Sequence, residues 1–175
     1  NASHRTVRNF DNAPVYMKVE NWTEKGVVEN ISLELHSGEV VGLWGLLGAG
    51  RTEFVRSLCG LDPVDQGKIS IIQGDRLKEI SPKKLLRQAA YVTEDRRVDG
   101  LALELSVKEN MSSANLRGLT RKNGIFIDHK KETDTAEQYV EELSIKISSL
   151  DQPISTLSGG NQQKVVLAKW MAVNP

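Results

Sequence analysis

The segment Gly45-Leu46-Leu47-Gly48-Ala49-Gly50-Arg51-Thr52 constrains this chain more than any other. It follows the apolar run Glu39-Val40-Val41-Gly42-Leu43-Trp44, which reads as a strand buried on both faces. It precedes Phe54, Val55, Leu58 and Leu61 at helical spacing, with Gly60 as the stop. Strand, glycine loop and helix in that order match the pattern G-x-x-x-x-G-[basic]-[ST]. Glycines in such a loop let successive backbone N–H groups turn inward as an anion-binding nest, and the helix start adds free amides and the positive end of its dipole. The plainer alternative is a glycine-rich turn that only packs tightly, and the flanking strand and helix argue against it.

Two positions in the loop carry side-chain chemistry. Thr52 offers a hydroxyl to a nucleotide-bound Mg²⁺. Arg51 stands where lysine is expected, and its planar fork asks for a different geometry from a compact ammonium. The loop is therefore expected to bind nucleotide rather than to turn it over quickly.

Around this unit the texture changes along the chain. Residues 1–14 are polar and patternless, a linker or arm. Val15–Val19 and Ile31–Leu35 alternate as half-buried antiparallel strands do. Gly67–Ile72 reads as a strand closed by Gly74-Asp75, Ser81-Pro82 opens a short helix, and Ala89–Thr93 reads as a returning strand. Beyond it the pattern is helical. Ser106-Val107-Lys108-Glu109 is a capping box. Ala136, Tyr139, Val140, Leu143 and Ile147 mark a longer helix, with Glu132, Asp134, Glu137, Glu141 and Glu142 on its solvated face.

Composition narrows the partners. Lys+Arg and Asp+Glu both total 23 in 175 residues, so no global field draws the chain to nucleic acid or an anionic membrane. The longest apolar stretch, ending at Arg51, falls short of the roughly 20 residues a bilayer span needs. Cys59, the single cysteine, lies in an apolar helical run and reads as packing. His4, His36 and His129 show no metal-ligand spacing.

A second motif, Leu157-Ser158-Gly159-Gly160-Asn161-Gln162-Gln163-Lys164, leads into Val165, Ala168 and Ala172 at helical spacing. Alone it could be an ordinary N-cap with flexible glycines. Behind a phosphate loop in the same chain it is specific. Together with Gly48–Glu53, Glu94–Leu101 and Ser106–Met111, this motif makes the chain, from about Val15 to its last residue, resemble the nucleotide-binding domain of an ATP-binding cassette (ABC) transporter. More narrowly it resembles the second cassette of the tandem ATPases of bacterial monosaccharide importers, of the ribose, galactose, xylose and arabinose type.

The resemblance implies an α/β fold: a P-loop NTPase (RecA-like) core over 15–100 with an antiparallel β subdomain, a helical subdomain over 101–160, and a signature helix returning from 161. It implies ATP and Mg²⁺ as ligands, held by Gly45, Leu46, Leu47, Gly48, Ala49, Gly50, Arg51, Thr52, Glu53 and Glu94. Leu157, Ser158, Gly159, Gly160, Asn161 and Gln162 would complete the ATP site of a partner cassette, either the first cassette of the same polypeptide or a second copy. The further partners implied are integral-membrane permease subunits and, indirectly, an extracytoplasmic sugar-binding protein, at the cytoplasmic face of the bacterial inner membrane. Glu94 stands where the wider family has glutamine. Tyr16 and Trp22 are expected to pack rather than stack on adenine. The family's apolar strand with paired acidic residues, and its switch histidine, would follow Pro175. The chain is therefore expected to be truncated before that Mg²⁺-and-base strand and to hold no catalytic residue of its own. A non-hydrolytic nucleotide-binding scaffold is the competing reading. A P-loop kinase or GTPase has no use for Leu-Ser-Gly-Gly.

Overall fold

A computed structural model describes residues 13–93, 100–121 and 126–175. The chain divides into two compact units, 1–86 and 87–175, and each is taken by itself.

The first unit is built on strands β1 (Val15–Glu24), β2 (Val28–His36), β3 (Gln66–Gln73) and β4 (Arg76–Ile80), all antiparallel neighbours in the order β2-β1-β3-β4. Period-2 alternation sorts the faces. Val19, Ile69, Ile71 and Ile80 turn inward and are buried. Outward, Lys18 lies opposite Glu34 and within ion-pair reach of both Glu34 and Glu20, while Lys68 pairs with Glu79. This ladder of alternating charge keeps the solvent face soluble, though exposed pairs of this kind add little stability.

Helix α1 (Arg51–Leu58) buries Phe54, Ser57 and Leu58. Its key contact to the sheet is polar. The fully buried Trp22 donates from Nε1–H to Ser57 Oγ at 2.9 Å, and Ser57 donates onward to the Phe54 carbonyl at 3.0 Å. Gly67 allows the approach from the other side, since a Cβ there would stand 2.7 Å from Trp22 Cα. The helix ends in a Schellman motif: Gly60, at φ 71°, donates to Ser57 O, and Leu61 N–H reaches Arg56 O. Arg56 then clamps Asp62 with two bonds of 2.7 and 3.0 Å. Helix α2 (Pro82–Leu85) follows, with Ser81 at its N-cap and proline in its first turn as expected.

The second unit packs helices α3 (Val107–Ser112), α4 (His129–Glu142) and α5 (Gly159–Met171) around Val107, Met111, Ala136, Ile154, Val165 and Val166. The capping box forms at α3, where Ser106 Oγ accepts from Glu109 N–H and the Glu109 carboxylate accepts from Ser106 N–H. The Ser106 hydroxyl, donating to the same carboxylate at 2.6 Å, and next the Ser106 N–H hold the Glu109 carboxyl below its usual range. Asn110, almost fully buried, binds Ala102 N–H and the carbonyls of Ala102, Leu105 and Ser106, fixing the loop that enters α3.

Several expectations are corrected. Residues 39–44 form no strand, and Val40 and Trp44 are 94% and 92% exposed. A strand buried on both faces needs a paired neighbour and cover on each side. Residues 39–44 pair with none of the four strands, so they have neither. Ala89–Thr93 is likewise not a strand, although Tyr91 and Thr93 are buried and Val92 is exposed. β4 was not anticipated, because only Ile80 of its residues is buried. Helix α4 stops before Ile147, and Glu132 on its supposedly solvated face is buried beside His129.

Replacing Ser57 by alanine strands the Trp22 indole N–H in the core. The first unit is expected to lose about 1–3 kcal/mol, read as a lower denaturant midpoint with an unchanged slope. Burial pushes the Cys59 thiol up from its ordinary value. A thiol reagent is accordingly expected to label the native chain slowly and the unfolded chain at once.

Candidate functional site

Two backbone cradles stand out, one in each unit. In the first, Gly48 and Gly50 take φ 80° and 73°, whereas Leu47, Ala49 and Arg51 are absent from the positive-φ residues. This alternation of sign is the geometry of a nest, in which neighbouring N–H groups converge on one point. A turn from the Leu46 carbonyl to the Ala49 N–H at 3.1 Å sets its curvature. Gly50 is the N-cap of α1, and its carbonyl accepts from Phe54 N–H at 2.8 Å. The amides of Arg51, Thr52 and Glu53 therefore open the helix with no intrahelical acceptor.

Gly50 leaves no room for a Cβ without a shift of its neighbours. A Cβ there would stand 2.6 Å from Val28 Cγ1 and 2.9 Å from the Val27 carbonyl oxygen. The loop thus rests directly on the tip of the β1–β2 hairpin. The tip is braced in turn from β3's approach, where Lys25 N–H donates to Asp65 Oδ2 at 2.9 Å and Asp65 N–H to Thr23 O at 3.0 Å. Arg51 runs back along the loop, its Cδ and Nε lying 3.7 and 4.0 Å from where a Gly45 Cβ would be. The Arg51 side chain thus lies beside the first glycine of the loop. Gly48, Ala49, Arg51, Thr52 and Glu53 are all exposed, so an anion can reach the loop. These features fit a phosphate chain, with Thr52 available to a Mg²⁺ carried by it. Among the described residues no group of three His, Cys, Asp or Glu side chains is placed to hold a metal directly.

The second cradle is the start of α5. Ser158 is its N-cap in extended conformation, and Ser158, Gly159 and Gly160 are exposed. The Ser158 hydroxyl caps no backbone amide of its own helix; it accepts from Asn161 Nδ2 at 3.2 Å. Gly160 differs from Gly50 in kind: nothing lies within 4 Å of where its Cβ would be, and its φ is ordinary. The fold does not require glycine there, whereas a ligand brought close to the backbone would.

The remaining sequence-predicted residues divide. Leu157 is buried beneath the cradle. Gln162 is buried as well, donating from Nε2 to the carbonyls of Ile154 and Leu157 at 3.2 Å each, and so holds the approach to the helix. Asn161 accepts from Lys146 N–H at 3.0 Å and ties the cradle to the segment after α4. Glu94 lies outside the described residues. Trp22 is buried and unavailable to a base, and Tyr16 is partly exposed on β1. Lys169 escaped the sequence reading. It donates from Nζ to Gly100 O at 3.1 Å, with its ammonium 5.7 Å from the Trp170 ring centre, and burial lowers its pKa. No periodicity signals a lysine on the inner side of a helix.

A family model described as ABC transporter matches residues 28–175. The chain belongs to the ABC transporter family. Among curated relatives of this ABC chain, the ribose import ATP-binding protein RbsA of Bacillus cereus is 40% identical over 96% of the chain. A putative ribose/galactose/methyl galactoside import ATP-binding protein of Agrobacterium fabrum is 44% identical over 95%. The chain spans about a third of the length of these relatives, 34% and 32%. Among solved structures, a dimeric ATP-binding cassette in a post-hydrolysis state with ADP and Pi superposes with a TM-score of 0.68 at 22% identity, over 91% of this chain and 70% of that one. CbiO1 of Clostridium perfringens gives 0.65 at 19% identity, over 93% and 63%. These last two establish the ABC ATPase fold, an α/β P-loop architecture with an antiparallel sheet. No described helix is long and apolar enough to cross a membrane.

Alanine at the two glycines separates their roles. Gly50→Ala is expected to destabilise the first unit by at least about 1–2 kcal/mol, the cost of a left-handed φ alone. Gly160→Ala should leave stability unchanged or raise it by up to about 1 kcal/mol, as alanine does within a helix. Denaturant unfolding of both variants reads the difference.

Proposed function

We propose that this chain is the second cassette of a tandem ATP-binding subunit that drives monosaccharide import. Its own phosphate loop binds nucleotide, and its α5 cradle completes a second nucleotide site on a paired cassette. The observation that carries the reading is the start of α5. A serine hydroxyl that caps no backbone amide of its own helix and a glycine the fold does not need stand exposed at a helix N-terminus. Three free amides and the dipole favour an anion there, and the exposed Ser158 hydroxyl beside them can add a further donor. Leu157 and Gln162 brace the cradle from within, so the donors are held before any ligand arrives.

At the loop, Gly48, Gly50 and the α1 amides would hold the phosphates of Mg·ATP, with Arg51 and Thr52 at their outer end. The bound nucleotide supplies the phosphoryl group, and the chain's residues supply position and charge. Arg51 in lysine's place makes this loop the slower of two sites, and turnover is assigned to the partner cassette. The sugar-importer assignment is supported by relatives whose names specify ribose or galactose import. Permease subunits in the bacterial inner membrane and an extracytoplasmic sugar-binding protein are the partners that reading implies. Arg51 also favours a second reading, a nucleotide-binding scaffold without turnover.

Ser158→Arg in the full-length protein separates the two. In the motor reading the guanidinium fills the cradle and turnover falls at least about 100-fold, in the range seen when a transition-state donor is removed. Nucleotide affinity of the 45–52 loop stays as in the wild type. Unchanged turnover would favour the scaffold.

A further inference from the structure

We propose that Glu24 is a nucleotide-specificity residue, its carboxylate accepting a hydrogen bond from a ribose hydroxyl of the nucleotide held by the 45–52 loop. The inference rests on the phosphate-loop reading above and adds a contact to the nucleoside half.

Three observations place Glu24 at the loop. Its Oε2 is buried and has no hydrogen-bond partner, the one such side-chain atom among the described residues. Glu24 is paired across the hairpin with Val28, and partners in an antiparallel pair share a face of the sheet. Val28 is the residue whose Cγ1 presses on Gly50, at the junction of loop and helix. The hairpin tip cannot easily turn away, because Asp65 holds Lys25 N–H behind it.

An ionised carboxylate only accepts hydrogen bonds, and a buried oxygen without a donor bears a desolvation cost that a ligand donor offsets. No Lys, Arg or His forms an ion pair with Glu24 among the described residues. The donor it awaits is not a phosphate, which its charge repels. A neutral hydroxyl next to the phosphate chain fits, and in a nucleotide that group is the ribose. An acidic residue at a ribose hydroxyl is a recurrent solution in dinucleotide-binding folds for the same reason.

The test measures equilibrium binding of ADP, 2′,3′-dideoxy-ADP, IDP and inorganic triphosphate to the full-length protein and to its Glu24→Leu variant. The wild type is expected to bind ADP about tenfold tighter than the dideoxy form, the difference a hydrogen bond to a charged group makes, and to bind IDP like ADP. Glu24→Leu should weaken ADP about tenfold, bind ADP and the dideoxy form equally, and hold inorganic triphosphate as the wild type does. Equal wild-type affinity for ADP and dideoxy-ADP overturns the proposal without any variant. So does a ribose preference that survives Glu24→Leu, or a preference for ADP over IDP that vanishes with it and so assigns the contact to the base. If the wild type binds neither ADP nor triphosphate, the phosphate-loop reading falls first. Binding that ignores Glu24 sinks this inference alone.

Discussion

A missing Cβ at Gly50 is the constraint on which the first unit depends. With hydrogen in that place, the start of α1 lies against the Val27 carbonyl and the Val28 side chain, and the hairpin becomes the floor of the loop. The same residue must also take a left-handed φ, which an L side chain resists. From this contact follow the direction of α1, the burial of Phe54 and Leu58, and the approach of Ser57 to Trp22. The polar bond at Trp22 fixes the helix along its length, as Gly50 fixes its start. A loop so anchored offers its amides without having to reorganise for a ligand.

The two cradles use one physical device, the unsatisfied amides of a helix N-terminus, but stiffen it differently. The 45–52 loop is held from outside by a sheet hairpin braced at Asp65. The α5 cradle is held from inside its own unit, by buried Gln162 gripping the carbonyls of Ile154 and Leu157 and by Asn161 capturing Lys146 N–H. Glycine is structural in one and open to solvent in the other. That contrast separates a glycine the fold requires from one the fold leaves free.

Much of this was legible in the residues. The alternation of β1 and β2, the capping box at Ser106 and the glycine stop of α1 are local rules, and each appears where the pattern places it. The helix starts at Gly50 and Ser158 were legible from glycine and serine ahead of helical spacing, and both appear there; that they take anions is the proposal. What could not be read was pairing and depth. Residues 39–44 have the composition of a central strand, but a strand exists only through neighbours, and sequence does not supply them. β4 was hidden because an edge strand held by a two-residue hairpin at Gly74-Asp75 needs little apolar content. Glu132, Gln162 and Lys169 were misjudged or missed because polar side chains reach buried partners that no periodicity encodes. Glu24 belongs with them, since its orphaned oxygen shows only in three dimensions.

The central claim is that backbone amides of the 45–54 segment, rather than side chains alone, take the phosphate chain of a nucleotide. Hydrogen–deuterium exchange of the full-length protein with and without Mg·ADP reads those amides directly. The account predicts that peptides covering residues 45–54 slow their exchange at least about tenfold when nucleotide is present, the counterpart of hydrogen bonds gained at N–H groups that were free. Exchange there that stays the same at saturating nucleotide would contradict it.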